Sequence, residues 1–392
     1  MTNTTFTAGH QSLTLRRYPA KHQHKSLQAW DSADELIINH LVETNDIEAS
    51  HNLTVMNDEF GALACGLTRS LGLEKLTAYS DSWISLKASR MNWLQNALDG
   101  ELVLHSSLDA LEPSDMVILK VPRSLALPEW QLDQIRSQLP LGTRVIAGAK
   151  LTSLTPSVFK LFERYLGPVT TSLAKKKSRL LFCQNTQPDT ASAPYPGTFK
   201  TTQSETGAPF EMVNHANVFA RQKLDIGARV MLDHLPDLAP DSTAHIIDLG
   251  CGNGVLGLTM LSRYPSVNVT FVDESQMAIA SAKLSVERNL PNALTRCDFV
   301  LSNCLEEYTA HKFGEASLVI CNPPFHQQNT ITEHIARQMF HDACANLAEG
   351  GELRVVANRH LPYGQSLKKL FGGFGVLASE RKFVILSAIK RR

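Results

Sequence analysis

From Ile246 an apolar run, Ile246-Ile247-Asp248-Leu249, passes without a break into Gly250-Cys251-Gly252-Asn253-Gly254-Val255-Leu256-Gly257. A strand that turns at once into a helix through closely spaced glycines restricts the chain to open α/β architectures. The glycines let the backbone turn sharply and approach a ligand where a Cβ would collide. The helix is expected from Leu256 to about Arg263. Gly252-x-Gly254-x-x-Gly257 also fits a dinucleotide fingerprint, with a pyrophosphate on the helix N-terminus. The additional Gly250 and the acid Asp248 at the strand's end turn the reading away from that, since a carboxylate there repels a pyrophosphate and suits a cationic ligand. S-adenosylmethionine carries a sulfonium and an ammonium and no phosphate.

Short β-rich runs alternate with helical patterns on both sides of a polar stretch, at 53–56, 76–80, 116–121, 144–147 and 179–183, then at 246–249, 269–272, 318–321, 353–357 and 383–388. Five strands in each half predict two α/β domains. Asn, Thr, Gln, Pro, Ser and Ala replace the periodicity over 185–206, which is expected to be a linker between domains at 1–184 and 207–392. The halves overlay at a constant offset: Val55 faces Asp248, Gly61 faces Gly254, Ser80 faces Asp273 and Asn96 faces Asn289. Further on, Lys120-Val121-Pro122 meets Asn322-Pro323-Pro324. The first half lacks the glycine cluster and both acids, so only the second is expected to keep a cofactor site.

Asp273 ends the next strand about twenty residues after Gly254, the spacing at which an acid meets ribose hydroxyls. Asn303, after the third strand region, would sit beside the adenine. Phe219, Leu224, Asp225 and Gly227 precede the first strand of this half and would close over the methionine end of the cofactor. Asn322-Pro323-Pro324-Phe325 follows the fourth strand, which in a doubly wound sheet lies beside the first. Two prolines fix the backbone and remove donors, leaving the Pro323 carbonyl free to accept. With the Asn322 side-chain oxygen it would hold the two N–H bonds of a base amine, while Phe325 offers a face on which the base stacks. His326 is read as a loop residue shaping the pocket.

Formal net charge is zero, with 19% charged and 43% hydrophobic residues, which excludes a disordered chain. Residues 1–190 hold 19 Lys+Arg and 19 Asp+Glu, so neither half is a basic arm, and nucleic-acid contact would rest on local patches. Two stand out: Lys175-Lys176-Lys177 with Arg179, and Arg16, Arg17, Lys21 and Lys25. Seven cysteines without a Cys-x-x-Cys pair argue against a disulfide framework and a zinc site, and no metal is expected. With neither an apolar run of about 18 residues nor a signal peptide at its start, the chain is expected to be cytoplasmic.

Together these residues resemble the class I S-adenosylmethionine-dependent methyltransferases with an Asn-Pro-Pro-Phe/Tyr motif, which act on exocyclic amines or glutamine amides. The order of a degenerate first half, a linker, Leu224-Asp225-Ile226-Gly227, the glycine turn and Asn322-Pro323-Pro324-Phe325-His326 is similar to the tandem ribosomal RNA guanine-N2 methyltransferases. Arg17-Tyr18-Pro19, Ala29-Trp30-Asp31, Asn57-Asp58-x-Phe60-Gly61-Ala62-Leu63 and Ala357-Asn358-Arg359-His360-Leu361-Pro362-Tyr363 look like the ribosomal RNA large subunit methyltransferase G family.

The resemblance implies two tandem Rossmann-like class I methyltransferase domains, the N-terminal one degenerate and helping to grip RNA. It implies cofactor roles for Asp248, Gly250, Gly252, Gly254 and Asp273, and amine-positioning roles for Asn322, Pro323 and Phe325. Asn303 departs from the Asp that many class I enzymes use against adenine. The activity implied is methyl transfer to N2 of a guanine in 23S rRNA of the large subunit, on a base that is unpaired or flipped out. A monomer is the working expectation. Rival readings are a guanine of small-subunit 16S rRNA, glutamine N5-methylation of a translation factor, and a non-catalytic RNA-binding module. The intact Asn322 and Asp273 argue against the last.

Overall fold

The computed structural model describes residues 3–20, 27–309, 312–324 and 329–391, and the chain forms two compact units, Met1–Pro194 and Tyr195–Arg392. The first opens with a hairpin, β1 (Thr5–Ala8) and β2 (Gln11–Thr14), followed by α1 (Ser32–Thr44), β3 (Leu53–Met56), α2 (Ala62–Leu71), β4 (Lys75–Ser80) and α3 (Trp83–Gln95). It continues with β5 (Glu101–Ser106), β6 (Met116–Lys120), α4 (Ala126–Gln138), β7 (Arg144–Lys150), α5 (Pro156–Tyr165), β8 (Thr170–Thr171) and β9 (Ser178–Gln184).

The second repeats the plan. A hairpin of β10 (Gly197–Lys200) and β11 (Glu211–Asn214) encloses α6 (Gln203–Thr206), and α7 (Ile226–Leu232), β12 (His245–Leu249), α8 (Val255–Arg263), β13 (Asn268–Asp273), α9 (Gln276–Asn289) and β14 (Cys297–Leu301) follow. The unit ends with β15 (Ala316–Cys321), α10 (Asn329–Asn346), β16 (Leu347–Asn358), α11 (Tyr363–Phe371), β17 (Gly375–Ser379) and β18 (Phe383–Ile389).

The two seven-stranded sheets run β5-β4-β3-β6-β7-β9-β8 and β14-β13-β12-β15-β16-β18-β17, the same order strand for strand. All ten expected strands form. The central ones are buried along their whole length because helices cover both faces of a parallel sheet, which is why they read as unbroken apolar runs. The 185–206 stretch is not bare linker. It holds β10 and α6, and the units part at Pro194 and Tyr195. Backbone pairing with β11 and packing of Phe199 on the core make this hairpin, and neither leaves a periodic pattern.

Each hairpin is gripped by the helix behind it. Along α9, Ser281, Ser285 and Asn289 accept the backbone N–H groups of His215, Val213 and Glu211, at 2.9, 3.0 and 2.8 Å. Four helical residues advance about 6 Å and two strand residues about 6.6 Å, so the two ladders stay in step. In the first unit Asn92 of α3 and Asn96, its C-cap, accept the backbone N–H groups of Arg16 and Thr14 at 3.0 and 2.8 Å.

In the second unit β12 lies between β13 and β15, so the carboxyl ends of β12 and β15 border the crevice where the strand order reverses. Leu249 pairs with Cys321 there, and Met56 pairs with Leu119 in the first unit, which puts Lys120 in the position of Asn322. Among the described residues no helix is long and apolar enough to cross a membrane.

Candidate functional site

The turn after β12 is built by backbone demands. Gly250 and Cys251 donate to the Val272 carbonyl at 2.8 and 3.0 Å, which ties the turn to the neighbouring strand. Gly254 has φ +81°, and a Cβ there would lie 2.9 Å from Ala282 Cβ, so α9 can pack this closely only against glycine. Gly252, at φ +54°, has no atom of the described residues beyond its chain neighbours within 4 Å of its would-be Cβ. Its backbone faces open space, the cradle that a ligand approaching the chain requires. A Cβ on Gly250 would meet Met339 Cε at 3.3 Å and the Asn322 carbonyl oxygen at 3.6 Å, which brings the turn and the Asn-Pro-Pro segment side by side.

Asp248 is 1% exposed, and its Oδ2 accepts the Gly257 N–H at 2.9 Å. Burial, reinforced by the nearby charge of Asp273, pushes its carboxyl up to about 7. The carboxyl therefore braces the start of α8 from within the protein instead of facing a ligand. In the first unit Val55 stands there, and Asp58 takes over the task, accepting from Ala64 at 2.8 Å and Gly61 at 3.0 Å.

Asp273 links three segments. Its Oδ2 accepts the Gly252 N–H and its Oδ1 the Ser275 N–H, both at 3.0 Å, and the Ser302 N–H donates to its backbone carbonyl at 2.9 Å. The N-cap of α9 is Ser275, not Asp273. Asp273 is half-buried at the strand end, where its carboxylate ties the glycine turn to the start of α9.

Two expected contacts are otherwise engaged. Asn303 is 4% exposed; its amide donates to Glu306 at 2.6 Å and its oxygen faces the Cys304 thiol at 3.8 Å. Asp225 is the N-cap of α7, accepting from Ala228 at 3.2 Å.

At the end of β15, Asn322 is half-buried, yet its side-chain Oδ1 is buried and has no hydrogen-bond partner among the described residues. A carbonyl oxygen kept dry and unpaired costs about 1–3 kcal/mol, which a donor from outside the chain would relieve. Pro323 is buried and Pro324 exposed. Phe325 and His326 lie outside the described residues.

Sequence reasoning overlooked the side chains that clamp the turn. Asn253 donates to Asn214 Oδ1 at 3.0 Å, both buried, pinning the turn to the end of β11. Asn253 lies inside the glycine run, the one signal that could have flagged it; Asn214 has none. The Lys175–Lys177 cluster is partly neutralised, since Lys176 reaches Glu35 at 2.5 Å and Lys175 lies 3.9 Å from Glu43, both on α1. Lys21 and Lys25 lie outside the described residues. Among the described residues no group of three His, Cys, Asp or Glu side chains is placed to hold a metal ion.

The family models that match are the RLMG N-terminal domain, over residues 3–187, and the Methyltransferase small domain, over 209–387. Ribosomal RNA large subunit methyltransferase G of Pseudoalteromonas atlantica is 49% identical over 384 residues, 97% of each chain. The protein of that name from Aeromonas salmonicida is 49% identical over 388 residues, 97% of this chain and 98% of its own. Among solved structures, the T. Thermophilus 16S rRNA N2 G1207 methyltransferase (RsmC), in complex with AdoMet and guanosine, superposes with a TM-score of 0.74 at 20% identity. The match covers 99% of this chain and 98% of that one, a likeness of fold.

Proposed function

The chain belongs to the ribosomal RNA large subunit methyltransferase G family, and on that premise we propose that it transfers a methyl group from S-adenosylmethionine to the exocyclic N2 amine of a guanine in 23S rRNA. The observation that carries this reading is the Oδ1 of Asn322 at the carboxyl end of β15, beside the glycine turn, buried and without a hydrogen-bond partner among the described residues.

The residues present fit S-adenosylmethionine. Gly252 leaves its backbone open, Asp273 is poised for ribose hydroxyls, and Asp248 shapes the turn beneath them. Asp225 at the start of α7 and Gly250 border the same site in this reading, and Asn303 supports the loop instead of meeting the adenine. When bound, the cofactor supplies an electrophilic methyl group on a sulfonium.

A guanine amine is a poor nucleophile because its lone pair is delocalised into the ring. The Asn322 side-chain oxygen and the Pro323 carbonyl each accept one N–H, which holds the nitrogen closer to tetrahedral and frees its lone pair. Phe325 gives the base a stacking face. The rate comes from positioning, and the amine loses its proton to solvent. Neither a metal nor a covalent enzyme intermediate is part of this scheme.

The test is methyl transfer in vitro from radiolabelled S-adenosylmethionine to large-subunit rRNA from cells lacking the protein, followed by nucleoside analysis. Label in N2-methylguanosine is expected. Label in small-subunit rRNA alone, or in a protein glutamine alone, would overturn the assignment.

A further inference from the structure

Each unit ties the end of its opening hairpin to the turn that starts a helix, and the two do so with different chemistry. Asn96 and Asn289 accept the N–H groups of Thr14 and Glu211, and Asn92 and Ser285 those of Arg16 and Val213, so the hairpins correspond residue for residue. One residue further along stand Arg17 and Asn214. Gly61 and Gly254 are the N-caps of α2 and α8, at φ +82° and +81°, and the residues before them are Phe60 and Asn253. In the first unit the Arg17 guanidinium lies 4.3 Å from the centre of the Phe60 ring. In the second, Asn253 Nδ2 donates to Asn214 Oδ1 at 3.0 Å, while Asn253 Oδ1 takes the Val255 N–H at the start of α8, at 3.4 Å. Asn214 Nδ2 donates to the Met212 carbonyl at 3.2 Å.

The two contacts hold with different precision. A cation is attracted anywhere over a ring face within about 6 Å, whereas a hydrogen bond needs its donor in line and weakens steeply below about 120°. The amide pair therefore fixes where its turn stands, and the cation–ring pair only keeps its turn close. Stability does not call for the amides. Asn214 is 1% and Asn253 8% exposed, and two buried polar partners can be exchanged for apolar groups of the same shape at little cost. What sets the second turn apart is the open backbone of Gly252, which adjoins Asn253 in the chain and donates its N–H to Asp273.

Resting on S-adenosylmethionine as the cofactor, as proposed above, we infer that Asn214 is a positioning residue for it. Through Asn253 it holds the Gly252 backbone where the cofactor needs it, without touching the cofactor itself. Asp273 fixes the Gly252 N–H from one side and the amide pair fixes the next residue from the other, so the cradle is set before the ligand arrives. The β10–β11 hairpin thereby becomes part of the cofactor site, a role that its first-unit counterpart, with Arg17 over Phe60, does not share.

Calorimetric titration of the full chain with S-adenosylmethionine, beside its urea unfolding, tests this. Asn214→Leu is nearly isosteric and strands the Asn253 Nδ2 donor, so affinity should fall about tenfold, the worth of one net hydrogen bond, and the urea midpoint should drop. Asn214→Leu/Asn253→Leu removes both partners of the pair. Its midpoint should recover above that of the single variant, while affinity stays about tenfold down, because an apolar pair packs without direction. In methyl transfer to rRNA the KM for S-adenosylmethionine should rise by the same factor, with kcat little moved. Wild-type affinity in Asn214→Leu, affinity that returns together with stability in the double variant, a double variant no more stable than the single one, or a loss in kcat in place of KM would each overturn the inference. A wild-type chain that binds no S-adenosylmethionine sinks the function on which it rests instead.

Discussion

Lys120 Nζ lies 2.7 Å from Asp34 Oδ1, at the strand-end position that Asn322 occupies in the second unit. Asp31, the N-cap of α1 as Asp225 is of α7, holds the same ammonium at 3.0 Å. Burial opposes the Lys120 charge, but Asp34 and Asp31 outweigh it and raise its pKa. The strand end of the first unit is thus occupied by a buried, ion-paired lysine, where the second unit presents an amide oxygen. One S-adenosylmethionine per chain should bind in a calorimetric titration, and saturation at two would show that the first crevice is open.

Two glycines two residues apart separate folding from binding. Gly254→Ala sets a Cβ 2.9 Å from Ala282 at φ +81° and should destabilise the second unit by about 1–3 kcal/mol, seen as an earlier urea transition. Gly252→Ala meets no atom of the described residues and should cost about 1 kcal/mol for its positive φ. Its methyl group nevertheless fills the open cradle, so S-adenosylmethionine affinity should drop at least tenfold. A Gly252→Ala protein with wild-type affinity would place the cofactor elsewhere.

The carboxyl of Asp248 makes stability depend on pH in a direction opposite to that of a paired carboxylate. Folded, it keeps its proton up to about 7; unfolded, it releases the proton near about 3.9. Between these values unfolding releases a proton, so stability is fully present below the unfolded value and is lost as pH rises toward 7. Asp248→Asn keeps an acceptor for the Gly257 N–H and removes the titration. Across pH 4 to 7, thermal unfolding of the variant should lose less stability with rising pH than wild type, by up to about 1.4 kcal/mol per pH unit. Parallel curves would mean that Asp248 is ionised throughout.

The strands most legible in sequence are β3, β6 and β12, buried along their whole length, where helix cover demands continuous apolar residues. The edge strand β5, only partly buried, has no such demand and no continuous run marks it, while β14, likewise partly buried, is legible only as the region before Asn303. At the site the legible parts were those with backbone requirements, the glycine turn and Asn322-Pro323-Pro324. An acid at a strand end serves equally to hold a ligand or a turn, and only the coordinates show Asp248 spent on Gly257 and Asp273 shared with Gly252 and Ser275. The neutralisation of Lys175 and Lys176 depends on α1, far away in sequence, and no local pattern announces it.

Asn322 offers the sharpest division between binding and chemistry. In the proposed mechanism its Oδ1 meets the substrate amine and not the cofactor, and it is buried and unpaired among the described residues, so truncation breaks no hydrogen bond there. Asn322→Ala should therefore fold as wild type and bind S-adenosylmethionine with little change. Loss of one acceptor that tightens on the nitrogen as its lone pair is freed should lower kcat by about 10²–10³, the scale seen when one transition-state hydrogen-bond partner is removed. Asn322→Asp keeps an acceptor oxygen, and a carboxylate still takes the amine N–H, so it should retain more activity than Asn322→Ala. Single-turnover methyl transfer to unmodified rRNA measures the step directly. Wild-type turnover in Asn322→Ala would remove Asn322 from the chemistry and leave its unpaired oxygen without a purpose.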